Sequence, residues 1–168
     1  MIVNHDHFLV ALSILIALSA SYSCFHLVDL LNKSYALRWK ITLLGAALSI
    51  GGGIWATHFV AMLAFKLSVT LTYDIQNTIL SALIAISFTA FSLYIATYTE
   101  KITPMMSLLC GLLMGGGASA MHFLGMQAII APVDIQYGLS GIVSAVLTIL
   151  ITSTLALYLA LSHKTERH

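Results

Sequence analysis

The sequence predicts an all-α fold, a polytopic transmembrane helical bundle with five spans. Of its 168 residues, 60% are hydrophobic and only 8% are charged, whereas a soluble domain carries roughly 25% charged residues. The apolar runs are continuous and about twenty residues long, the length that a bilayer core of about 30 Å demands of a helix. Strands of a membrane barrel would instead alternate apolar and polar residues over about ten positions.

Five apolar runs define the spans. The first run is too long for the hydrophobic part of a signal peptide, and the preceding residues lack the basic start of one, so it is a retained span. Pro104 suits the first turn of the fourth helix, and Pro132 helps to end that helix. The predicted spans are about 8–31, 41–65, 78–98, 105–130 and 139–161.

The basic residues predict the orientation. Six of the seven Lys and Arg residues fall on one side of a five-span chain, and only Lys66 falls on the other. By the positive-inside rule the basic side is cytoplasmic, so the N-terminus lies outside and the C-terminus lies in the cytoplasm. A net charge of +1 without a basic run gives no case for a nucleic-acid partner.

Two stretches of the chain are copies of each other. Gly51–Ala64 reads GGGIWATHFVAMLA, and Gly115–Ala128 reads GGGASAMHFLGMQA, 64 residues later. Helical rise places His58 and His122 at a similar depth, about one turn below the outer surface. A histidine at membrane depth is costly unless a partner or a metal satisfies it. The same costly arrangement twice is the strongest sign of function in the sequence.

The repeat extends beyond these two motifs. Asp6, Asp74 and Asp134 each precede a helix that descends from the outer side, and the last two stand in the same D-I-Q sequence. One unit is thus an outer aspartate, a descending helix and an ascending helix with the motif. We expect one membrane domain over 1–168, built from two helix-hairpin repeats plus half of a third. The chain is then a fragment that lacks a sixth helix, or that helix has been lost.

Helical spacing pairs each motif histidine with a methionine. Positions i and i+4 share a helix face, so His58 points with Met62 and His122 points with Met126. If the second and fourth helices face each other, two imidazoles and two thioethers converge, and this ligand set suits copper, especially Cu(I). Haem with the two histidines as axial ligands is the rival cofactor.

Further residues belong to the same region. Met121 is an additional candidate sulfur ligand, and His5 and His7 are candidates to cap the site from the outer side. Gly51 and Gly115 lie seven residues below their histidines on the same predicted face. Small residues let helices approach closely, and those predicted to do so are Gly51, Gly111, Gly115 and Ser119.

The two motifs resemble the repeated signature of the MHYT domain, a bacterial integral membrane sensor domain. A glycine-rich lead followed by His-Phe-x-x-Met, present twice, carries the resemblance. It implies an inner-membrane sensor of oxygen, carbon monoxide, nitric oxide or redox state that uses a copper site. It also implies a cytoplasmic output domain, commonly for cyclic-di-GMP synthesis or hydrolysis.

This sequence departs from the family pattern in two ways. The four-letter signature reads THFV in the first copy and MHFL in the second, so the leading methionine is missing once and Tyr-Thr is missing twice. The third motif that the family usually carries on a sixth helix is not found. His58, Met62, His122 and Met126 remain as the ligands that the resemblance supports.

The sequence therefore predicts a membrane signalling domain without enzymatic activity, because it contains no nucleophile–base set, P-loop or paired carboxylates. The expected partners are the lipid bilayer, a small gas ligand, a cytoplasmic output domain and a second copy of the chain. A small transporter of copper or another ion is the alternative, although no span holds a buried carboxylate. A structural subunit, whose histidines only join helices, is a further alternative.

Overall fold

The computed structural model describes residues 4–66, 71–98, 103–131 and 138–165. Five helices of this part are long and apolar enough to cross a membrane, which confirms the predicted fold class. The helices α1 to α5 are His7–Asn32, Ala36–Leu63, Ile75–Tyr98, Pro104–Gln127 and Leu139–Thr165.

The second helix differs most from its predicted span. Helix α2 begins at Ala36 rather than near residue 41, because the polar turns around Arg38 and Lys40 are helical as well. Both basic side chains are exposed, and long basic side chains reach from a helix end toward water. Hydropathy therefore located the apolar part of α2 but not its start.

The described ranges contain four two-residue strands, each next to a helix end. Strand β1 (Asn4–His5) pairs with β2 (Phe65–Lys66), and β3 (Thr72–Tyr73) pairs with β4 (Ile129–Ile130), both antiparallel. The start of α1 is thereby joined to the end of α2, and the start of α3 to the end of α4. We call this end of the bundle the histidine end, because His58 and His122 lie close to these ends of α2 and α4.

A backbone hydrogen bond closes each hairpin beside its strand pair. The N–H of Asp6 donates to the carbonyl of Ala64 at 2.9 Å, and the N–H of Asp74 donates to the carbonyl of Ala128 at 2.8 Å. Ala64 and Ala128 are the last residues of the two motifs, and both are buried. We call each such bond with its strand pair a clasp. The sequence repeat is therefore also a repeat of backbone structure.

Close helix contacts follow the same period. A Cβ added at Gly51 would lie 2.7 Å from the Cα of Ile86 in α3, and one added at Gly115 would lie 3.1 Å from the Cα of Leu150 in α5. Ile86 and Leu150 are 64 residues apart, as are the two glycines. Helix α5 therefore packs on the second unit as α3 packs on the first.

This register changes which residue of the third unit matches the leading aspartates. Helix α3 starts after Asp74, and α5 starts after Gly138, 64 residues later. The carbonyls of these two residues accept the N–H groups of Thr78 and Ile142, respectively. The D-I-Q alignment instead pointed to Asp134, which lies outside the described residues. Gly138 has no carboxylate, so α5 begins without the side-chain cap of the earlier units.

The hydrophobic core cluster of the described residues lies in the half of the bundle away from the histidine end. It joins residues from all five helices, and the Oγ of Ser92 in α3 donates to the carbonyl of Cys110 in α4 at 2.8 Å. Its fully buried aliphatic members include Val28, Leu31, Leu93, Leu157 and Leu161. This cluster fixes the helices relative to each other and leaves the histidine end to other contacts.

Asp6 caps α1 and bridges the first clasp. Its Oδ1 accepts the N–H groups of Phe8 and Leu9 at 3.0 and 3.3 Å. Its Oδ2 lies 2.9 Å from the Nζ of Lys66 on β2. The hydrogen bond from Lys66 is the largest influence that lowers the pKa of Asp6 below its ordinary value of 3.8, and the backbone N–H groups lower it further.

Replacing Asp6 by alanine is expected to loosen the first clasp. Amide protection at Phe8 and Leu9, measured by hydrogen exchange, should fall because the helix cap and the ion pair are both lost. Since the folded-state pKa is lowered, the stabilisation by the charged carboxylate is present above the ordinary value and is lost as the pH falls through the lowered pKa. Asp6→Asn, which can still cap, is the control and should lack this pH dependence. Unchanged protection in Asp6→Ala would contradict the role of the Asp6 side chain as the cap of α1.

Candidate functional site

The two motif histidines meet near the histidine end. His58 of α2 and His122 of α4 bring their Nδ1 atoms to 3.4 Å of each other. Their ring centroids are 4.8 Å apart, and the ring planes cross at 65°. Helices α2 and α4 otherwise pack mainly on α1, α3 and α5. The histidine pair therefore lies at the short region where the two motif helices touch.

Aromatic neighbours hold His58 from its own helix. The buried ring of Phe59 meets the imidazole edge-on, with centroids 5.5 Å apart. Trp55 lies against Phe59 at 4.8 Å, and its Nε1 donates to the Oγ of Ser81 in α3 at 3.1 Å. Sequence reasoning missed this chain of contacts, because the copy of Trp55 in the second motif is a serine and only shared positions were followed.

A glycine of α4 lies directly against His58. A Cβ added at Gly125 would stand 2.8 Å from the Nε2 of His58 and 3.1 Å from its Cδ2. That Nε2 atom is buried and has no hydrogen-bond partner among the described residues. The equivalent residue of the first motif is Ala61, which is exposed. Gly125 also escaped the sequence reasoning, because it is a position at which the repeats differ.

The candidate sulfur ligands lie on the same helices as the histidines. Met62 and Met126 follow their histidines by one turn and are partly buried, whereas Met121 is 2% exposed. Because α-helical neighbours at i and i+4 share a face, the first two have the placement that the motif predicted. Their role as ligands stays a prediction.

The histidines of the N-terminal segment lie at the same end of the bundle. His5 is exposed and packs edge-on against Phe65 with centroids 4.7 Å apart, and His7 is exposed at the start of α1. Within the described ranges no three His, Cys, Asp or Glu side chains come together as a metal site. The assignment of His5 and His7 as additional ligands stays a prediction, as does a methionine sulfur as a third donor.

The small residues serve other helix contacts than the one between α2 and α4. Gly51 lies against α3, and Gly111 and Gly115 lie against Thr154 and Leu150 of α5. A position seven residues from the histidine drifts by about 20° around a straight helix, and crossing helices separate along their length. The glycines and the histidines of one motif therefore face different neighbours.

Ser119 continues the small-residue series of α4 toward the histidine end. Its side chain is buried, and its Oγ has no hydrogen-bond partner among the residues that the structure describes. The residue thus supplies small volume rather than a polar link between helices.

The spacing of the pair fits one bare metal ion. Two imidazole nitrogens bound to one ion at about 2.0–2.1 Å in a tetrahedral arrangement lie about 3.4 Å apart. Axial ligands of haem lie on opposite sides of a porphyrin plane. Centroids 4.8 Å apart leave no room for that plane between the rings. The donor set of imidazole and thioether is one that copper accepts.

Comparison with known protein families shows which family the sequence matches. The sequence profile named MHYT, described as "Bacterial signalling protein N terminal repeat", matches residues 51–108 and 115–168. The two matches begin at the first glycine of each motif. The chain belongs to the MHYT family. Each MHYT match runs from a motif helix into the next helix, α3 in the first match, which continues into the start of α4, and α5 in the second.

Curated MHYT relatives are much longer signalling proteins. The "Bifunctional diguanylate cyclase/cyclic di-GMP phosphodiesterase MucR" of Pseudomonas aeruginosa is 38% identical over 173 residues, which cover 99% of this chain and 24% of MucR. "Cyclic di-GMP phosphodiesterase NbdA" of the same species is 39% identical over 120 residues, or 71% of this chain and 15% of NbdA. "Signaling protein YkoW" of Bacillus subtilis is 34% identical over 128 residues, or 76% of this chain and 16% of YkoW.

The chain spans at most about a quarter of these relatives. The enzymatic activities that their names carry belong to those whole proteins. No solved structure matches the chain significantly. Family membership and five apolar helices identify a multi-pass inner-membrane sensor domain of bacterial signalling proteins.

Proposed function

We propose that this MHYT domain detects a diatomic gas (oxygen, carbon monoxide or nitric oxide) or a redox change at a copper ion held by His58 and His122. The separation of 3.4 Å between their Nδ1 atoms is the observation that carries the proposal. Met62 and Met126, one turn further along the same helices, offer thioether sulfurs that favour Cu(I). Copper in this place would supply a redox centre that can bind a small gas ligand.

The orientation follows from the basic residues. With Lys33, Arg38 and Lys40 on the cytoplasmic side, the histidine end lies near the outer face and the C-terminus lies in the cytoplasm. A sensed molecule then reaches the site from outside. The signal would then reach an output domain or partner on the cytoplasmic side, for example one for cyclic-di-GMP turnover as the name of MucR indicates.

The helix contacts suggest how the signal moves. The histidines join α2 to α4, so a change in ligation there alters the packing of one hairpin on the other. Gly111 and Gly115 place α4 directly against α5, and α5 leads toward the cytoplasm. Coupling of this kind requires two packing states with different affinity for the sensed ligand.

Elemental analysis tests the proposal directly. Protein purified without a histidine tag is expected to contain about one copper ion per chain, or to take up one in a Cu(I) titration against a chelator. A chain that neither carries copper nor binds it in the titration would refute the metal site.

The methionines provide a sharper test of the ligand set. Met62→Leu/Met126→Leu is expected to weaken Cu(I) binding by at least roughly 10-fold, because loss of an outer-shell partner of a metal ligand already costs about 10- to 100-fold. The free energy of unfolding should change by less than about 1.5 kcal/mol per site, because leucine conserves the volume of methionine. Met105→Leu is the matched control, since Met105 is 64% exposed on the same helix as Met126. Equal Cu(I) affinity in the double variant and this control would remove the sulfurs from the site.

A further inference from the structure

We propose that Gly125 is a positioning residue for His58 and makes the two histidines of the pair chemically different. By lacking a side chain, Gly125 lets the imidazole of His58 lie against the backbone of α4. In that position His58 carries its proton on Nδ1, and this N–H donates a hydrogen bond to the Nδ1 of His122. Gly125 acts on the pair that the proposed function uses, and in that sense its role rests on that function.

The contacts of the ring establish the positioning. A methyl group at residue 125 would stand 2.8 Å from the Nε2 of His58, 3.1 Å from its Cδ2 and 3.3 Å from the Cε2 of Phe59. Separations below about 3.0 Å are not tolerated by carbon atoms in proteins. The imidazole is the end of a side chain, so it would turn away while the α4 backbone stayed. Phe59 blocks one side of the ring, which limits where it can go.

The polar surroundings determine where the proton sits. A neutral imidazole has one N–H donor and one bare nitrogen. The Nε2 of His58 is buried without a hydrogen-bond partner among the described residues, whereas its Nδ1 faces the Nδ1 of His122 at 3.4 Å. In either tautomer Nε2 is unpaired, and a buried N–H without an acceptor is rarer in proteins than a buried acceptor without a donor. His58 is therefore the donor of the pair, and His122 carries its own proton on Nε2.

The two copies of the motif differ at the position of Gly125. The residue that corresponds to Gly125 in the first motif is Ala61, whose side chain is exposed. Only the second motif thus provides a bare backbone position for the ring of the other. An otherwise duplicated site becomes a donor on α2 and an acceptor on α4. A metal ion that bound both Nδ1 atoms would have to displace the shared proton, since ligands bind deprotonated.

The test reads the proton position rather than copper binding. The full chain, labelled with ¹⁵N-histidine and treated with a chelator, is placed in lipid bilayers, and the imidazole ¹⁵N signals are recorded. His58→Gln and His122→Gln assign the signals of the pair. Wild type is expected to have His58 in the Nδ1–H form and a cross-peak between the two Nδ1 atoms.

The variants separate positioning from general packing. Gly125→Ala is expected to remove the cross-peak and to lower the Nδ1–H population of His58 by about tenfold. Gly116→Ala on the same helix is the matched control, because no other described atom lies within 4 Å of a Cβ there, and its spectrum should equal that of wild type. Unchanged His58 signals in Gly125→Ala would overturn the proposal.

The wild-type spectrum decides the matter even if Gly125→Ala does not fold. A proton on Nε2 of His58 in wild type contradicts the inference by itself. Because the protein is free of metal throughout, failure of copper binding leaves this result untouched. Conversely, copper bound by a wild type whose His58 is the Nε2–H form would support the proposed function and reject the role of Gly125.

Discussion

Replacing both histidines of the pair by alanine is expected to lower the Cu(I) affinity of the chain by more than about 100-fold. Loss of a group that only hydrogen-bonds to a metal ligand already costs roughly 10- to 100-fold, and His58→Ala/His122→Ala removes two ligands. Each single variant should lose most of this affinity, because one imidazole and flexible sulfurs do not form a fixed site. The measurement is a chelator competition titration of the metal-free protein in detergent.

A histidine elsewhere on the bundle supplies the control. His26→Ala removes an exposed imidazole in the half of α1 away from the pair, and its titration should match that of wild type. Helix content from circular dichroism checks that the double variant still folds. If His58→Ala/His122→Ala bound Cu(I) as tightly as His26→Ala, the copper site would have to be abandoned, and the pair would be a contact between helices only.

The second large effect is expected at Gly51. A Cβ there would lie 2.7 Å from the Cα of Ile86 and 2.9 Å from the carbonyl oxygen of Ala85. These are backbone atoms of α3 and cannot rotate away, so Gly51→Ala forces two helices apart. Overpacking typically destabilises by about 1–3 kcal/mol, and we expect the upper part of that range. The measurement is thermal or denaturant unfolding of the protein in a fixed detergent.

The neighbouring glycine controls for helix propensity. No other described atom lies within 4 Å of a Cβ at Gly52, so Gly52→Ala should be neutral or stabilise by up to about 1 kcal/mol. Equal stability of the two variants would mean that α2 and α3 are less closely packed than the structure has them. The contrast with Gly125 is informative, because there the crowded atoms belong to a side chain and the expected effect is local.

Much of the fold could be predicted from local sequence patterns. Hydropathy over about twenty residues located all five helices, because span length is set by the bilayer rather than by partners. The repeat identified His58 and His122 as candidate site residues, because burying a histidine at membrane depth costs free energy. Two such residues at the same depth therefore indicate a shared function. The same repetition pointed to α5 as a third descending helix, and its contact at Leu150 repeats that of Ile86.

Contacts between helices were harder to predict from the sequence. Whether Gly51 meets α3 or α4 depends on crossing geometry, which a single helical period does not encode. Strands of two residues, such as Phe65–Lys66, have no periodicity to detect. Gly125 differs from its counterpart Ala61, so a comparison that sought identity passed over it. The D-I-Q match at Asp134 lies outside the described residues, whereas the packing at Ile86 and Leu150 follows the 64-residue period.

The clasps bear on how force travels through the domain. A free helix end frays, and its last turn absorbs a displacement by local unwinding. The clasp at Ala64 ties the end of α2 to the start of α1, and the short turn after Asn32 joins the same helices at their other ends. The first hairpin is thus connected at both ends, and we expect it to tilt or twist as one body. A small displacement of His58 is then expected to move α2 over its whole length rather than to unwind only its last turn.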